Sequence, residues 1–308
     1  MSSGSENPAG ASRGGALARH TTVAGIGVVL AAALGATMWL VGSPERAPAA
    51  AVRPPEALRV CADPNNLPFS NERGEGFENV LAELVARDLG RQVEYTWWPQ
   101  RRGFIRTTLR AGVCDLVMGV PEQFELALTT QPYYRSTYVT VTRRERGLQV
   151  ASMDDPRLRT LSIGIHLIGD DYANVPPGDA LIARGIVRNV RGYSLYGDYS
   201  RPNPPADLID AVARGEVDIA IAWGPLAGFF ASRAARPLQV QALTPDGRVP
   251  FTFAISMGVR RGEQRMRDRL NEVLERRKGD IDAVLDRFDV PRVAMSAESI
   301  GVMDARTR

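Results

Sequence analysis

The sequence predicts an α/β protein of two lobes, each with a parallel-rich sheet, joined by two extended crossovers. From Leu58 onward, short apolar segments alternate with segments of helical periodicity, and this alternation restarts after residue 160. Two extended segments rich in aromatic and β-branched residues, 132–144 and 249–260, connect the two runs. Alternating strands and helices are typical of parallel sheets covered by helices. The two crossovers indicate a hinge, and a cleft between lobes is a preferred place for a ligand.

Four regions follow from this pattern. We expect residues 1–57 to form an export segment with a Pro/Ala-rich linker, and residues 58–142 to form the first part of lobe I. Residues 143–248 are then lobe II, and residues 249–308 hold the return crossover and the C-terminal helices of lobe I. Those helices are amphipathic and have only the first lobe to pack against.

The N-terminal segment has the features of an export signal. Arg13, Arg19 and His20 precede an uncharged apolar run at 21–41, and the small-residue triplet 47–49 follows. The run is also long enough to span a bilayer as a helix, so the segment is either cleaved or retained as an anchor. Both alternatives leave the arginines in the cytoplasm and place the rest of the chain in the periplasm. We expect no other contact with the membrane.

The elements of lobe I can be assigned in chain order. "LRVCA" is a strand, "GFENVLAELVARDLG" is a helix that ends at Gly90, and "QVEYTW" is a second strand. "GFIRTTLRAG" is predicted to be a helix that ends at Gly112, and "CDLVMGV" is the third strand. Glycine in the left-handed region is a common helix stop.

Lobe II repeats the same order. "LSIGIH" is a strand, a helix lies near "GDALIARG", and "IVRNV" is a strand. A helix at "PADLIDAVARG" leads into the strand "DIAIAW", after which "GPLAGFF" is predicted to be a loop. Asp115 and Asp218 open corresponding strands at the edge away from the cleft, so we expect both carboxylates to be structural.

The two cysteines leave two alternatives. Export would carry Cys61 and Cys114 into an oxidising compartment, which permits a disulfide. Cys61 falls late in one strand, however, and Cys114 falls at the start of another. On neighbouring strands that offset corresponds to about 10 Å at about 3.3 Å per residue, which is beyond disulfide reach.

Several strings of unusual residues carry a resemblance to a known family. From about Leu58 to Pro291 the chain resembles the two-lobed periplasmic solute-binding proteins of the amino-acid-binding group. "VCADPNNLPFSNERGEGFEN", "YTWWPQRRGF" and "CDLVMGVP" are similar to the quinoprotein dehydrogenase-associated members, the MoxJ and XoxJ type encoded beside methanol dehydrogenases. The resemblance implies two Rossmann-like lobes of the type II periplasmic binding protein fold. It also implies a periplasmic accessory to a dehydrogenase that uses pyrroloquinoline quinone, with that dehydrogenase as its partner.

The sequence departs from the amino-acid-binding group at the ligand site. That group holds the ligand carboxylate with an arginine shortly after the third strand, but no arginine occurs from Gly119 to Thr130. Its acidic residue after the last strand of lobe II is replaced here by Trp223-Gly224-Pro225. Asp170 and Asp171 near a predicted helix start would repel a carboxylate. Free amino acids are therefore poor candidates, and the alternative to the accessory role is an ABC-importer receptor for another small polar or aromatic solute.

Ligands in open α/β sheets meet the loops at the carboxyl ends of the strands, which selects the candidate contacts. The candidates for ligand or partner binding are Asp63, Phe69, Glu78, Trp98, Arg101, Arg102, Val120, Tyr133, Tyr134, His166, Asp170 and Trp223. Several have alternative roles: Asp63 as a loop cap, and Phe69, Tyr133, Tyr134 and Trp223 in hinge or core packing.

The loop "WPQRR" combines an aromatic wall with paired donors. Trp98, Arg101 and Arg102 would suit a planar aromatic acid, such as pyrroloquinoline quinone, or a partner loop carrying carboxylates. We expect the arginines at the start of a helix. The alternative is that both guanidinium groups are simply solvated.

Other classes of protein fit poorly. The net charge is only +3, so nucleic-acid binding has little support. After the export segment His166 is the only histidine, and that part of the chain has no G-x-S-x-G elbow and no phosphate loop. We therefore expect a protein that is not an enzyme, with no metal and no cofactor of its own.

Overall fold

The computed structural model describes residues 56–168, 173–195 and 199–294. Within these ranges the strands are β1 (Ala57–Ala62), β2 (Asn65–Asn66), β3 (Ser70–Asn71), β4 (Gln92–Trp97), β5 (Leu116–Pro121), β6 (Leu128–Thr129), β7 (Tyr134–Arg143), β8 (Ile163–Ile168), β9 (Ala173–Asn174), β10 (Val190–Ser194), β11 (Ile219–Trp223), β12 (Leu238–Ala242) and β13 (Thr252–Val259). The α-helices are α1 (Phe77–Asp88), α2 (Phe104–Thr107), α3 (Pro176–Ala183), α4 (Asp207–Arg214), α5 (Gly224–Ser232), α6 (Gln264–Arg276) and α7 (Lys278–Arg287).

Each lobe is built on parallel strands. In lobe I the order is β4-β1-β5-β13, and β1 runs parallel to both β4 and β5. In lobe II the order is β10-β8-β11-β7, and β8 runs parallel to both β10 and β11. The crossover strands β7 and β13 add antiparallel edges to these parallel cores. The prediction of an α/β fold with parallel-rich sheets is confirmed.

Strand β7 belongs to both lobes. Its first four residues, Tyr134 to Thr137, pair with β13 on the lobe I side. From Tyr138 to Arg143 the same strand pairs with β11 and β12 in lobe II. The hand-over between lobes therefore falls inside one continuous strand, and both lobes belong to one compact unit, Arg53–Arg308.

The lobe I core lies between the sheet and three helices. Phe77, Leu81 and Val85 are fully buried on one face of α1, at the spacing of an amphipathic helix. The apolar residues of α6 and α7, including Val273 and Leu285, are buried in the same cluster. The C-terminal helices thus pack on lobe I, as expected from the sequence.

The structural roles predicted for the two repeated aspartates are confirmed. Asp115 accepts hydrogen bonds from Arg59, at 2.7 and 3.0 Å, and from Arg260 at 2.9 Å. Asp218 accepts from the backbone N–H of Ser162 at 2.8 Å and from its hydroxyl at 2.9 Å. Each carboxylate fixes the entry to its strand.

Some predicted elements are wrong in length or type. The helix expected at "GFIRTTLRAG" is only the single turn α2, and "IVRNV" becomes a strand only at its last residue. The side chain of Asn189 donates to Leu158 O at 2.8 Å and to Leu161 O at 2.6 Å, which holds a turn before that strand. "GPLAGFF", predicted to be a loop, forms most of the buried helix α5. Its apolar residues face inward nearly all round, so it lacks the polar face that marks a helix in a sequence.

The structure joins Cys61 and Cys114 by a disulfide with a Cα–Cα distance of 5.6 Å. Cys61 pairs in register with Val117, three residues beyond Cys114. The two cysteines meet despite this offset, because Cys114 precedes β5 and lies in the connection from α2, packed with Cys61 and Leu109 in one buried cluster.

Direct hydrogen bonds join the two lobes at the first loop. Tyr199 Oη of lobe II donates to Asp63 Oδ2 at 3.0 Å. Asn65 Nδ2 donates to Arg201 O at 2.7 Å, and Asn203 N–H donates to Asn65 Oδ1 at 3.2 Å. These contacts join the two lobes directly.

No helix in the described ranges is long and apolar enough to cross a membrane. The apolar run at 21–41, predicted to be an export signal or anchor, lies outside those ranges.

We expect reduction of the disulfide, or the double substitution C61S/C114S, to lower the free energy of unfolding by about 2–4 kcal/mol, because the bond closes a long loop in the unfolded chain. Urea unfolding with and without dithiothreitol measures this. Identical transitions in both conditions, together with two thiols that react in the non-reduced unfolded protein, would show that the bond does not form.

We expect Tyr199→Phe to shift the lobes toward an open arrangement, because the hydroxyl that bridges to Asp63 is lost. One such hydrogen bond is worth about 1–2 kcal/mol, or about 5- to 30-fold in the equilibrium. Small-angle X-ray scattering measures the change as a larger radius of gyration. Tyr193→Phe, which removes a hydroxyl within lobe II, is the control, and an equal radius in both variants would contradict the bridging role.

Candidate functional site

A cavity of about 300 Å³ lies between the lobes at the carboxyl ends of the strands. Its lobe I wall comes from the first loop, the first turn of α1 and the end of β5, and its lobe II wall from β8, β11 and the starts of α3 and α5. The crossover strands β7 and β13 form its back. The position is the one that open α/β sheets favour for ligands.

The wall is mainly apolar and aromatic. The lining residues are Asn66, Phe69, Glu78, Gln100, Gly119, Val120, Pro121, Tyr134, Tyr138, His166, Val175, Pro176, Leu195, Ile221, Trp223, Leu226, Phe253 and Ile255. None of these described residues is an arginine or a lysine. A bound carboxylate would therefore lose its hydration without gaining a positive partner in this wall.

Glu78 is the acidic residue of the wall. It lies in the first turn of α1, where its N–H donates to Phe69 O at 2.9 Å, and a side chain at Gly119 would overlap its carboxyl group. Among the described residues its carboxyl group has neither a hydrogen bond nor an ion pair. Burial raises the pKa of Glu78 to about 8, against the helix dipole, which favours the ionised form. At pH 7 the carboxyl group is mostly protonated.

His166 faces the same cavity from β8. The ring is 4% exposed, and Nε2 lies 3.3 Å from Pro205 O. A carbonyl oxygen can only accept, so Nε2 carries the proton and Nδ1 is the acceptor. Burial lowers the pKa of His166 to about 4, so the imidazole is neutral at pH 7.

Five aromatic rings contribute to the remaining wall. Three of them meet at the back. The centroid of the Trp223 ring lies 5.3 Å from that of Tyr138 and 5.9 Å from that of Phe253. Tyr134 packs edge-on against Phe77 at 6.1 Å. The pKa values of Tyr134 and Tyr138 are raised by burial, and the charge of Glu78 raises that of Tyr134 further. Both phenols are neutral donors.

The structure brings six of the sequence-predicted residues together in this cavity: Phe69, Glu78, Val120, Tyr134, His166 and Trp223. Tyr133 does not line it, since its hydroxyl donates to Met118 O at 2.9 Å behind the wall. Asp170 lies outside the described residues.

Asp63 organises the first loop and does not line the cavity. Its buried carboxylate accepts from Asn65 N–H at 2.8 Å, from Gln100 N–H at 2.7 Å and from Tyr199. Burial raises the pKa of Asp63, and the hydrogen bonds oppose that rise. In this structure the residue has the capping role that the sequence left as an alternative.

The "WPQRR" loop contributes Gln100 to the cavity wall, whereas Trp98, Arg101 and Arg102 do not line it. Trp98 is 47% exposed, and Arg101 and Arg102 are exposed residues that precede α2, which begins only at Phe104. The expectation that the arginines start the helix is therefore wrong: Gly103, with φ 90°, stands between them and its first residue. The Arg101 guanidinium lies 5.9 Å from the centroid of the Tyr199 ring, at the junction of the lobes.

Sequence reasoning missed several wall residues, among them Tyr138 and Phe253. A usable signal existed for Tyr138: it is four residues from Tyr134 on one strand, so both side chains point to the same face. Phe253 pairs in register with Ser136 on the neighbouring strand, a relation that the sequence does not reveal.

The chain matches known proteins over most of its length. Residues 58–288 match the bacterial extracellular solute-binding proteins, family 3. The chain is 31% identical to protein MoxJ of Methylorubrum extorquens over 255 residues, which covers 78% of this chain and 82% of that protein.

Two crystal structures have the same fold. The periplasmic binding protein XoxJ from Methylobacterium extorquens AM1 is 37% identical, with a TM-score of 0.64, and the match covers 77% of this chain and 99% of XoxJ. MxaJ from Methlophaga aminisulfidivorans MPT is 26% identical, with a TM-score of 0.67, over 77% of this chain and 100% of MxaJ. The chain therefore belongs to the bacterial extracellular solute-binding proteins of family 3, in the MoxJ/XoxJ-like group.

Proposed function

We propose that this protein is a non-catalytic binding protein that assists a periplasmic quinoprotein alcohol dehydrogenase, of the kind that oxidises methanol. The observation that carries the proposal is the match to MoxJ, XoxJ and MxaJ over nearly their whole lengths. Proteins of that type are encoded beside methanol dehydrogenases, and membership of an extracellular family puts this chain in the compartment where such a dehydrogenase works.

The cavity supports a role other than amino-acid transport. Its described wall has no cation for a ligand carboxylate, and its acidic side chain is mostly neutral at pH 7. The same wall would disfavour pyrroloquinoline quinone, because three carboxylates would be desolvated without partners. The quinone then belongs to the partner enzyme and not to this cavity.

A non-catalytic role is supported by the chemistry of the wall. Its described residues include no serine, cysteine or lysine that could act as a nucleophile. The wall therefore resembles a binding site more than a centre for covalent catalysis.

The exposed loop beside the lobe junction suits a protein partner. Trp98 presents a large apolar ring to solvent, and Arg101 and Arg102 stand next to it. Tryptophan and arginine are the residues most enriched at binding hot spots. A dehydrogenase loop that carries carboxylates would complement this surface.

The cavity itself favours a second candidate, a receptor that delivers a small solute to an importer. Its volume is at the lower end of the range of about 300–1,000 Å³ for small-molecule sites. Permease and ATPase genes next to the gene would favour that function, whereas dehydrogenase and cytochrome genes would favour the accessory role.

We expect deletion of the gene to lower quinoprotein dehydrogenase activity in periplasmic extracts, and we expect the tagged protein to co-purify with that dehydrogenase. Re-expression of the wild-type chain should restore the activity. Normal activity in the deletion strain, with no dehydrogenase among the co-purifying proteins, would sink the proposal.

We expect the double substitution R101A/R102A to weaken dehydrogenase binding about tenfold at low salt, equal to about 1.4 kcal/mol. The difference should shrink at high salt, because exposed charge pairs are screened. Surface plasmon resonance across a salt series measures the difference, and the midpoint of thermal unfolding of both proteins is measured beside it.

The matched control is R265A/R269A, which removes the same charge from the exposed face of α6. Equal weakening by both double variants would assign the effect to net charge alone. A large fall in the melting temperature of R101A/R102A would instead make these arginines structural.

A further inference from the structure

The side chain of Glu78 makes no polar contact with the other described residues. Among the described residues no donor bonds to it and no arginine or lysine pairs with it. The backbone of Gly119 lies so close to the carboxyl group of Glu78 that a Cβ atom at residue 119 would overlap it. A carboxyl group that lines an apolar cavity without a partner is costly in its ionised form unless a ligand or water meets it.

The surroundings of Glu78 restrict what that partner can be. Five aromatic side chains, Phe69, Tyr134, Tyr138, Trp223 and Phe253, line the same cavity. The negative faces of such rings attract cations, most strongly where water is excluded. Asn66 adds a neutral amide side chain to the same wall.

We propose that the cavity binds a compact organic cation whose nitrogen carries methyl or other alkyl groups, with the Glu78 carboxylate as its counter-ion and the aromatic rings as its walls. This inference goes beyond the accessory role proposed above and does not depend on it.

The shape and polarity of the wall favour an alkylated nitrogen over a free amino acid. An amino acid brings a carboxylate, for which this wall has no positive partner. A primary ammonium needs three acceptors, whereas a methylated ammonium needs only apolar and aromatic surface and one compensating charge. The aromatic rings and the one carboxyl group among the described wall residues supply that combination.

Binding of such a cation is coupled to a proton. Without ligand, burial holds the pKa of Glu78 at about 8, so the cation must displace a proton at neutral pH. Affinity for the cation should then rise about tenfold per pH unit up to about 8 and become constant above it. The sign follows because only the ionised carboxylate attracts the cation.

Among the described residues that face Glu78, no other group should titrate in that window. The tyrosines close to it, Tyr95, Tyr133 and Tyr134, all have raised pKa values, about 12 for Tyr95 and well above 10 for the other two. His166, across the cavity, has a pKa lowered to about 4. A binding profile between pH 5 and 9 would therefore report Glu78.

The test is isothermal titration of the whole exported protein with choline and with 3,3-dimethylbutan-1-ol, a neutral molecule of nearly the same shape. We expect choline to bind at least tenfold more tightly at pH 8. At pH 6.5 we expect close to one proton released per choline bound, measured in buffers of different ionisation enthalpy. Equal affinity for the two molecules, or no binding of choline, would overturn the proposal.

Glu78→Gln keeps the shape of the side chain and removes its charge. We expect this variant to lose choline binding at least tenfold and to lose the pH dependence, while Glu83→Gln, on the exposed face of the same helix, behaves as wild type. A Glu78→Gln variant that binds choline like wild type would also refute the role of the carboxylate.

The free energy of unfolding, measured against pH, shows whether Glu78→Gln loses choline binding through misfolding or through loss of the charge. Because the folded pKa of Glu78 lies above its unfolded value, the stability of the wild type should fall as pH rises from about 4.5 to 8. Glu78→Gln should lack that fall and be no less stable than wild type at pH 8. A destabilised variant would show that Glu78 supports the fold, contrary to the proposal. Neither arm involves a dehydrogenase, so failure here leaves the accessory function standing.

Discussion

The ladder between β7 and β13 is the constraint on which the rest of the structure depends. Four consecutive residue pairs, from Tyr134–Ile255 to Thr137–Thr252, join the crossovers. Immediately beyond them β7 enters the lobe II sheet. The same short ladder therefore fixes how the chain passes between lobes and which side chains form the back of the cavity. Because strand side chains alternate, Tyr134 and Tyr138 share one face of β7. The register of the ladder sets which β13 side chains lie beside that face.

Most of the fold could be predicted because its signals are local. The strand at 92–97 and helix α1 follow from alternation and helical periodicity in a few residues, and the predicted bounds agree closely with the observed ones. The failures share a physical cause. Helix α5 is buried on nearly all sides, so its sequence has no polar face, and Cys114 approaches Cys61 from the connection between α2 and β5, whose path the sequence does not reveal.

The sequence predicted which strands, helices and loops carry the candidate site, but not what each side chain does there. Sequence placed Glu78, His166 and Trp223 near the ends of the right strands and helices, and they do line one cavity. It could not separate Asp63, which caps a loop, from Glu78, which faces the cavity, because both are acidic residues near the same loop. The difference lies in which backbone N–H groups reach each carboxylate, and this depends on the folded loop.

The disulfide has a consequence for when this fold becomes complete. Cys61 lies in the central strand of lobe I, and its bond to Cys114 ties that strand to the segment leading into β5. A chain of an extracellular family is synthesised in a reducing compartment, where such a bond does not persist. Before secretion the chain therefore lacks its disulfide and populates unfolded states more readily, which suits a polypeptide that must be translocated. Oxidation then occurs on the far side of the membrane, so maturation and arrival are coupled.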